Sequence, residues 1–210
     1  MDDSVNNAYL AVVARPRKFD EESVLKVVRD QFWATGFAGT SMDAIAAATG
    51  LGKGSLYGAF GDKRDLFRRV FDDHCTSVTH SVDRLLGGDD AHAFERLAAF
   101  LLDHATASAE PTHRGCLLAK GTAELAGQDE AVAARSLQAF DGVREAISTA
   151  LQACQRHGDV DPGVDPQQLA GLVLTVHRGI EALGKAGTDE ATLRSYAEMA
   201  LATIPRPANS

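Results

Sequence analysis

From Asp20 onwards, apolar residues recur at helical spacing along almost the whole chain, and this periodicity restricts the fold more than any other feature. In the first such segment, Val24, Val28 and Phe32 share one face of a helix that begins after an Asp20 cap and ends at Gly36. No segment shows the alternation of apolar and polar residues that is typical of a half-buried strand. The sequence therefore predicts an all-α chain.

The residues that start and stop these segments predict about nine helices in total. A short second helix follows a hydroxyl cap at Thr40 or Ser41 and stops at Gly50, and a short third helix begins at Lys53. Asp62 caps a longer fourth helix. The later helices are expected at about Asp90–Ser108, at about Cys116–Gly127, from an Asp129 cap to His157, from Asp165 and from Thr188.

The charge of the chain is unevenly distributed. The formal net charge of the 210 residues is -8, which by itself argues against a nucleic-acid partner. Residues 1–70, however, contain ten Lys and Arg against nine Asp and Glu, so the acidity belongs to the remainder of the chain. A near-neutral N-terminal region can still present a basic face to DNA, because binding depends on local charge.

Membrane spans, secretion signals and metal sites are all disfavoured by the sequence. The longest apolar run, LAAFLL, is far shorter than the roughly 20 residues of a membrane helix, and the acidic N-terminus is unlike a signal peptide. We therefore expect a cytoplasmic protein with no membrane partner. The three cysteines have no CxxC spacing and the histidines add no ligand set, so we expect no metal and no cofactor.

The stretch TGLGKGSLYGAFGDK, residues 49–63, places five glycines and two lysines between helical segments. Because glycine costs a helix interior roughly 1 kcal/mol relative to alanine, this composition indicates the approach of a phosphate. A bound nucleotide is disfavoured: Ala47 and Gly54 break the Walker pattern, and Ser55 breaks the dinucleotide pattern. Both motifs also follow a strand, whereas the preceding SMDAIAAAT is helical.

A helix-turn-helix explains the same stretch better. Ala44, Ile45 and Ala48 are expected to pack the first short helix against the second, and Gly50 supplies the tight turn. Small residues at the start of the second helix allow it to approach the major groove closely. A glycine-loosened turn without function would leave the lysines and Tyr57 unexplained.

The segment TSMDAIAAATGLGKGSLYGAFGDKRDLF, with the preceding GF, resembles the N-terminal domain of the TetR family of bacterial transcriptional regulators. The resemblance extends almost continuously from Asp20 to about Phe71. It implies a homodimer in which the first three helices bind double-stranded operator DNA. The remaining helices would form a pocket for a small-molecule effector and a dimer interface.

The resemblance also assigns DNA-binding roles. Thr40 and Ser41 correspond to the cap of the second helix and to a phosphate contact, while Tyr57 and Lys63 correspond to phosphate-binding positions. Ala59 departs from the family, which often has His or Tyr there, so either the affinity for DNA is somewhat lower or the basic N-terminal residues Arg15, Arg17 and Lys18 compensate. The DNA-binding residues are expected to be Arg17, Lys18, Thr40, Ser41, Gly52, Lys53, Gly54, Ser55, Tyr57 and Lys63.

The effector region is less distinctive, apart from HRGCLLAKGTAELA. This segment resembles a stretch from one branch of the family, some of whose members respond to electrophiles or oxidants. Near Arg114 and Lys120, Cys116 could have a depressed pKa and act as a sensor, but a buried, unreactive thiol is the favoured alternative. We expect a mostly apolar effector pocket that includes Phe100, His104, Cys116, Leu117, Phe140 and His177.

The last two helices carry the longest apolar stripes, which we expect to form the dimer interface. Its expected residues are Leu169, Leu172, Val173, Val176, Ile180, Leu193, Tyr196, Ala197 and Leu201. The expected organisation is an arm (1–18), a three-helix DNA-binding domain (19–64) and a C-terminal helical bundle (65–210) that binds ligand and dimerises.

The function that follows is a ligand-responsive transcriptional regulator, more specifically a repressor released from a palindromic operator by its effector. A redox- or electrophile-sensing repressor acting through Cys116 is the main alternative. A pocket enzyme is disfavoured because no catalytic constellation stands out. A ligand-binding protein that no longer binds DNA also stays open, with Ala59 as its sole indication.

Overall fold

The computed structural model describes residues 19–207, which form nine α-helices and no β-strand. The helices are α1 (Glu21–Gly39), α2 (Met42–Thr49), α3 (Lys53–Phe60), α4 (Lys63–Leu86), α5 (Ala93–Ala109), α6 (Leu117–Leu125), α7 (Glu130–His157), α8 (Pro166–Lys185) and α9 (Glu190–Ala202). A single 3-10 turn, Asp90–His92, precedes α5. The predicted all-α fold is confirmed for this part of the chain. No helix within residues 19–207 is long and apolar enough to cross a bilayer.

Side-chain caps begin most of these helices, because the first backbone N–H groups of a helix have no partner within it. The capping side chains are those of Asp20, Ser41, Asp62, Asp129, Asp165 and Asp189. The expected cap of the last helix, Thr188, is wrong. Its backbone N–H donates to Leu183 O, so Thr188 belongs to the turn that ends α8, and Asp189 caps α9.

Gly36 interrupts α1 as expected, but the helix does not end there. With φ of 75° and ψ of 176°, Gly36 kinks the chain, after which a further turn extends to Gly39. The Thr40 hydroxyl donates to Gly36 O at 2.6 Å, which fixes the kink to the start of α2. Only glycine is accommodated here, because the carboxylate of Glu124 occupies the space of a Cβ atom and φ is positive.

The buried side chains form two clusters. The first combines α1 to α3 and the first half of α4 with α6 and the start of α7. Its centre is Phe67, whose ring lies 5.1 Å from that of Phe32, 5.3 Å from that of Phe37 and 5.3 Å from that of Phe71. The second cluster combines the end of α4 with α5, the rest of α7, α8 and α9. The long helices α4 and α7 therefore contribute to both clusters.

Candidate nucleic-acid interface and ligand pocket

The α2–α3 unit has the geometry of a helix-turn-helix. Gly50 adopts the left-handed conformation with φ of 67° and turns the chain between the two helices. Met42, Ile45 and Leu56 are buried between them and α1. Ala44 and Ala48, which we expected to pack the helices together, are instead exposed on the outer side of α2. The expectation was wrong because the inward face of this short helix is formed by Met42 and Ile45.

The outer face of α3 combines bare backbone with a few polar side chains. Lys53, Ser55 and Tyr57 are exposed, as are the glycines between them. A Cβ atom added to Gly52, Gly54 or Gly58 would meet nothing within 4 Å. Gly58, unexplained by the sequence, therefore belongs to the same open face as Gly54, one turn away. Such a face lets another surface approach the backbone closely.

Lys53 is held at the start of α3 by an ion pair with Asp43 of α2. The Lys53 Nζ lies 2.5 Å from Asp43 Oδ1, and the hydrogen bond to this carboxylate raises the pKa of Lys53. Both side chains are largely exposed, so the pair is weak and can exchange for a phosphate or a base. The ion pair thus keeps a fully charged ammonium on the outer face of the motif.

Two of the expected phosphate-binding side chains are engaged inside the domain. Lys63 Nζ donates to Phe37 O and to Thr40 O, each at 2.9 Å, and lies 4.2 Å from the Phe37 ring centroid. Thr40 is buried, and its hydroxyl is committed to Gly36 O. Both residues therefore shape the end of α1, which the sequence could not show because Lys63 and its carbonyl partners are far apart in the chain.

The remaining expected DNA contacts are divided between the surface and the part of the chain that is not described. The Ser41 hydroxyl caps α2 by accepting from Ala44 N at 3.0 Å, and the residue stays exposed. Tyr57 is 48% exposed on α3. Arg17 and Lys18 lie outside the described residues. The predicted contacts of these four residues with DNA remain predictions.

Side chains of helix α6 form hydrogen bonds to the backbone at the C-terminal end of α1. Lys120 Nζ donates to Trp33 O at 2.7 Å, Glu124 Oε2 accepts from Ala38 N at 3.0 Å, and Trp33 Nε1 donates to Gly115 O at 2.8 Å. Sequence reasoning missed this connection. The only signal available was the i,i+4 spacing of Lys120 and Glu124, which places both charges on one face of the helix.

The start of α6 is tied in turn to α8 through a buried carboxylate. Glu181 is 6% exposed, and its Oε1 accepts from Cys116 N at 2.8 Å. Its Oε2 accepts from Arg178 Nη1 at 2.7 Å. Burial by itself would raise the pKa of Glu181, but the Arg178 guanidinium and the Cys116 N–H lower it overall, so the carboxylate is charged at neutral pH.

The surroundings of Cys116 oppose the chemistry that a sensor thiol requires. Burial raises the pKa of the thiol, and the Glu181 carboxylate raises it further. The depressed pKa considered from the nearby basic residues in the sequence is therefore wrong. Burial also raises the pKa of Cys75 and of Cys154 to about 11, so none of the three thiols has the electrostatics of a reactive thiolate.

The stacked rings of Phe100, His177 and His104 form an aromatic wall beside the Glu181 carboxylate. The His177 ring lies parallel to that of Phe100, with centroids 4.5 Å apart, and to that of His104, with centroids 3.6 Å apart. Burial lowers the pKa of His104 to about 4 and that of His177 to about 2, so both imidazoles are neutral. The expected effector residues Phe100, His104 and His177 are thus brought together.

The aromatic wall borders a cavity of 370 Å³ between α4, α5 and α8. Sequence reasoning missed six of its lining residues, Val82, Leu85, Arg96, Ala99, Asp103 and Ala107. Leu117 and Phe140 do not line it, because both pack into the first cluster, and Cys116 does not line it either. A larger groove of 780 Å³ between α1 and α4 is lined mainly by charged side chains, so the smaller cavity is the better effector candidate.

The expected dimer face is only partly exposed. Five of the expected residues are buried in the second cluster of this chain, which leaves little of their surface for a partner: Leu169, Val173, Ile180, Leu193 and Ala197. Val176 and Leu201 also pack against that cluster, whereas Leu172 and Tyr196 are exposed. Leu183 of α8 and Met199 of α9 are exposed as well and were not expected.

Among the residues that the structure covers, no group of three His, Cys, Asp or Glu side chains is arranged to hold a metal ion.

Two family models together cover most of the chain. Residues 24–70 match the model described as bacterial regulatory proteins, tetR family, and residues 93–200 match the one described as tetracyclin repressor-like, C-terminal domain. The chain is also 26% identical over 200 residues to the HTH-type transcriptional repressor ComR of Escherichia coli (strain K12). The matched region covers 91% of each protein.

Two solved structures resemble the chain along nearly its whole length. One is a cysteine mutant of the TetR family transcriptional regulator CifR complexed with 26-bp double-strand operator DNA. It has 27% identity and a TM-score of 0.74, covering 91% of this chain and 100% of that one. The other is a TetR transcriptional regulator from Chloroflexus aurantiacus, with 27% identity and a TM-score of 0.77, covering 89% and 96%.

Proposed function

Since the chain belongs to the tetR family of bacterial regulatory proteins and is a transcriptional regulator, we propose that it is a ligand-responsive repressor acting in the cytoplasm. In this proposal it binds a palindromic operator as a homodimer and leaves the operator when a small molecule binds. The observation that carries the proposal is the open outer face of α3, in a fold that CifR uses in complex with operator DNA.

On the DNA side, α3 enters the major groove. The open glycine face allows close approach, Lys53 supplies charge at the start of the helix, and Ser55 and Tyr57 supply hydroxyls. Two subunits related by a twofold axis would present their α3 helices about 34 Å apart, one turn of DNA. The basic residues before Phe19 would add contacts to the phosphate backbone.

The dimer would form through the exposed apolar residues of α8 and α9. Leu172 and Leu183 lie on α8, while Tyr196 and Met199 lie on α9. The stripe on α8 also includes Gly179, where an added Cβ atom would meet nothing within the subunit, so a second helix can approach closely there. A four-helix contact across a twofold axis would bury this surface.

A connected series of contacts links the cavity to the DNA-binding helices. His177 lines the cavity on α8, and one turn further Glu181 holds the backbone N–H of Cys116 at the start of α6. Further along α6, Lys120 and Glu124 form hydrogen bonds to the backbone at the end of α1. An effector that moves α8 or α4 would therefore shift the end of α1, and with it the spacing of the two α3 helices. A roughly 100-fold preference for the shifted form supplies about 2.7 kcal/mol.

Binding of the whole protein to a fragment of its own promoter, measured against salt concentration, tests this proposal. Lys53→Gln should weaken binding and reduce the slope of log affinity against log salt by about one, because one phosphate contact is lost. Arg84→Gln, which removes an exposed positive charge in the last turn of α4, is the matched control and should change neither quantity. Salt-independent binding of the wild-type protein, or equal behaviour of the two variants, would contradict the proposal.

A further inference from the structure

The cavity beside the aromatic wall is built mainly from one face of α5. Phe100, Asp103, His104 and Ala107 follow one another at helical spacing and all line it. Val82 and Leu85 of α4 close the opposite side with apolar surface. The cavity therefore combines aromatic rings, aliphatic surface, one carboxylate (Asp103) and one guanidinium (Arg96).

The carboxylate of Asp103 is the one anionic group on this lining, and in the described part of the chain it enters no ion pair. The cation on the lining, Arg96, points towards backbone carbonyl groups between α4 and α5. Its Nε donates to Leu86 O at 3.0 Å and its Nη2 to Asp89 O at 2.7 Å. Leu86 O lies at the C-terminal end of α4, whose partial negative charge offsets part of the guanidinium charge and holds the group against the backbone.

The other charges near the cavity are already compensated. Arg178 and Glu181 pair with each other behind the aromatic wall. The imidazoles of His104 and His177 are uncharged and so do not repel a cation. The acidic balance of residues 71–210, eleven Lys and Arg against twenty Asp and Glu, adds a long-range field of the same sign as Asp103.

We propose that this cavity binds an organic cation with a flat aromatic body. The positive group lies against Asp103, and the ring system lies along the wall formed by Phe100, His177 and His104. The attraction of a cation to the carboxylate of Asp103, which is exposed at the edge of a partly enclosed site, favours this class over neutral or anionic molecules of the same shape. The inference rests on the proposed function only in treating the ligand as the effector.

Three ligands with one skeleton test the charge preference: protonated aminoacridine, uncharged acridine and acridine carboxylate. Their binding to the full-length protein is measured by titration calorimetry without DNA, near neutral pH and at low salt. We expect the cation to bind at least about tenfold more tightly than the anion. Equal affinities, or tighter binding of the carboxylate, would overturn the inference.

Variants locate the site. Asp103→Asn should weaken binding of the cation roughly three- to tenfold and leave acridine nearly unchanged. Glu95→Gln, an exposed acid two turns earlier on α5, is the matched control and should change neither. Ala107→Trp should block all three ligands by filling the cavity. Cation binding that survives both Asp103→Asn and Ala107→Trp would place the ligand elsewhere and overturn the inference.

A second measurement separates this inference from the proposed function. The aminoacridine is added to the protein bound to a labelled promoter fragment, and the anisotropy of the label is followed with the Asp103→Asn variant in parallel. Release of DNA that depends on Asp103 supports both proposals. Asp103-dependent binding without release supports the ligand class and contradicts the role of the cavity in releasing operator DNA.

Discussion

Replacing Lys63 with methionine distinguishes two roles for the same ammonium group. The sequence resemblance assigns Lys63 to a DNA phosphate, whereas the structure joins it to the end of α1 through Phe37 O and Thr40 O. Methionine keeps the apolar stem but removes both hydrogen bonds and the contact with the Phe37 ring. The stability of the free protein therefore reports the second role without DNA.

The size of the effect follows from these contacts. A hydrogen bond to a charged group contributes about 1.5 to 3 kcal/mol, and a cation over an aromatic ring adds about 0.5 to 1 kcal/mol at exposed sites. Phe37 O keeps a second donor, Thr40 N at 3.3 Å, so not all of this is lost. We expect Lys63→Met to lower the free energy of unfolding by about 2 to 3 kcal/mol.

Urea unfolding at fixed protein concentration measures this difference, and hydrogen exchange at the backbone N–H of Thr40 reports the same loosening locally. Lys26→Met is the matched control, since Lys26 is exposed on α1 and its loss should change stability by less than about 0.5 kcal/mol. If Lys63→Met unfolds like the wild type and yet loses affinity for the promoter fragment, the ammonium group acts by contacting DNA, and the proposed stabilisation of the end of α1 is refuted.

Three further predictions concern buried groups. The unfolding free energy should fall as the pH drops from about 6.5 towards 4. Burial depresses the pKa of three histidines in the folded protein, so in this range the unfolded chain binds more protons than the folded one. Each histidine then lowers the unfolding free energy by up to about 1.4 kcal/mol per pH unit. The three are His74, His104 and His177. His177→Phe should flatten that pH dependence in urea melts, and an unchanged slope would contradict the depressed pKa of His177. Gly184→Ala should cost about 1 to 3 kcal/mol in thermal or urea unfolding, since its Cβ atom would press on the backbone of Ser108; Gly58→Ala, in open space, should not destabilise. Cys116, which is half-buried, should react with iodoacetamide far more slowly in the native protein than in urea, and equal rates would contradict the raised pKa of its thiol.

Local chemistry made the helices predictable. Asp20, Asp62, Asp129 and Asp165 cap the helices that the sequence assigned to them, because capping involves residues two or three positions apart. The Gly50 turn follows for the same reason. Family resemblance supplied the rest of the architecture, which periodicity by itself does not determine.

Contacts between distant residues account for what the sequence did not show. An apolar stripe indicates that a face is covered but not what covers it, so Ile180 and Leu193 were assigned to a partner although their own subunit buries them. Likewise, Cys116 is surrounded in sequence by basic residues, yet the charged group that contacts its backbone is Glu181, 65 positions away. The hydrogen bonds from Lys63 to Phe37 O and Thr40 O, 26 and 23 positions away, were likewise not visible in the sequence, and the predicted phosphate contact of Lys63 stays a prediction.

The composition of the first buried cluster limits how this protein can be recombined. Leu117, Leu118 and Val132, from α6 and α7, complete the same core as Phe32 and Phe67. A chimera joined immediately after α3 would therefore combine two half-cores that have not been selected to fit each other. An exchange of the N-terminal helices between relatives therefore requires that α6 and the start of α7 are exchanged with them; if α3 reads DNA as proposed, changing only its exposed side chains avoids this problem.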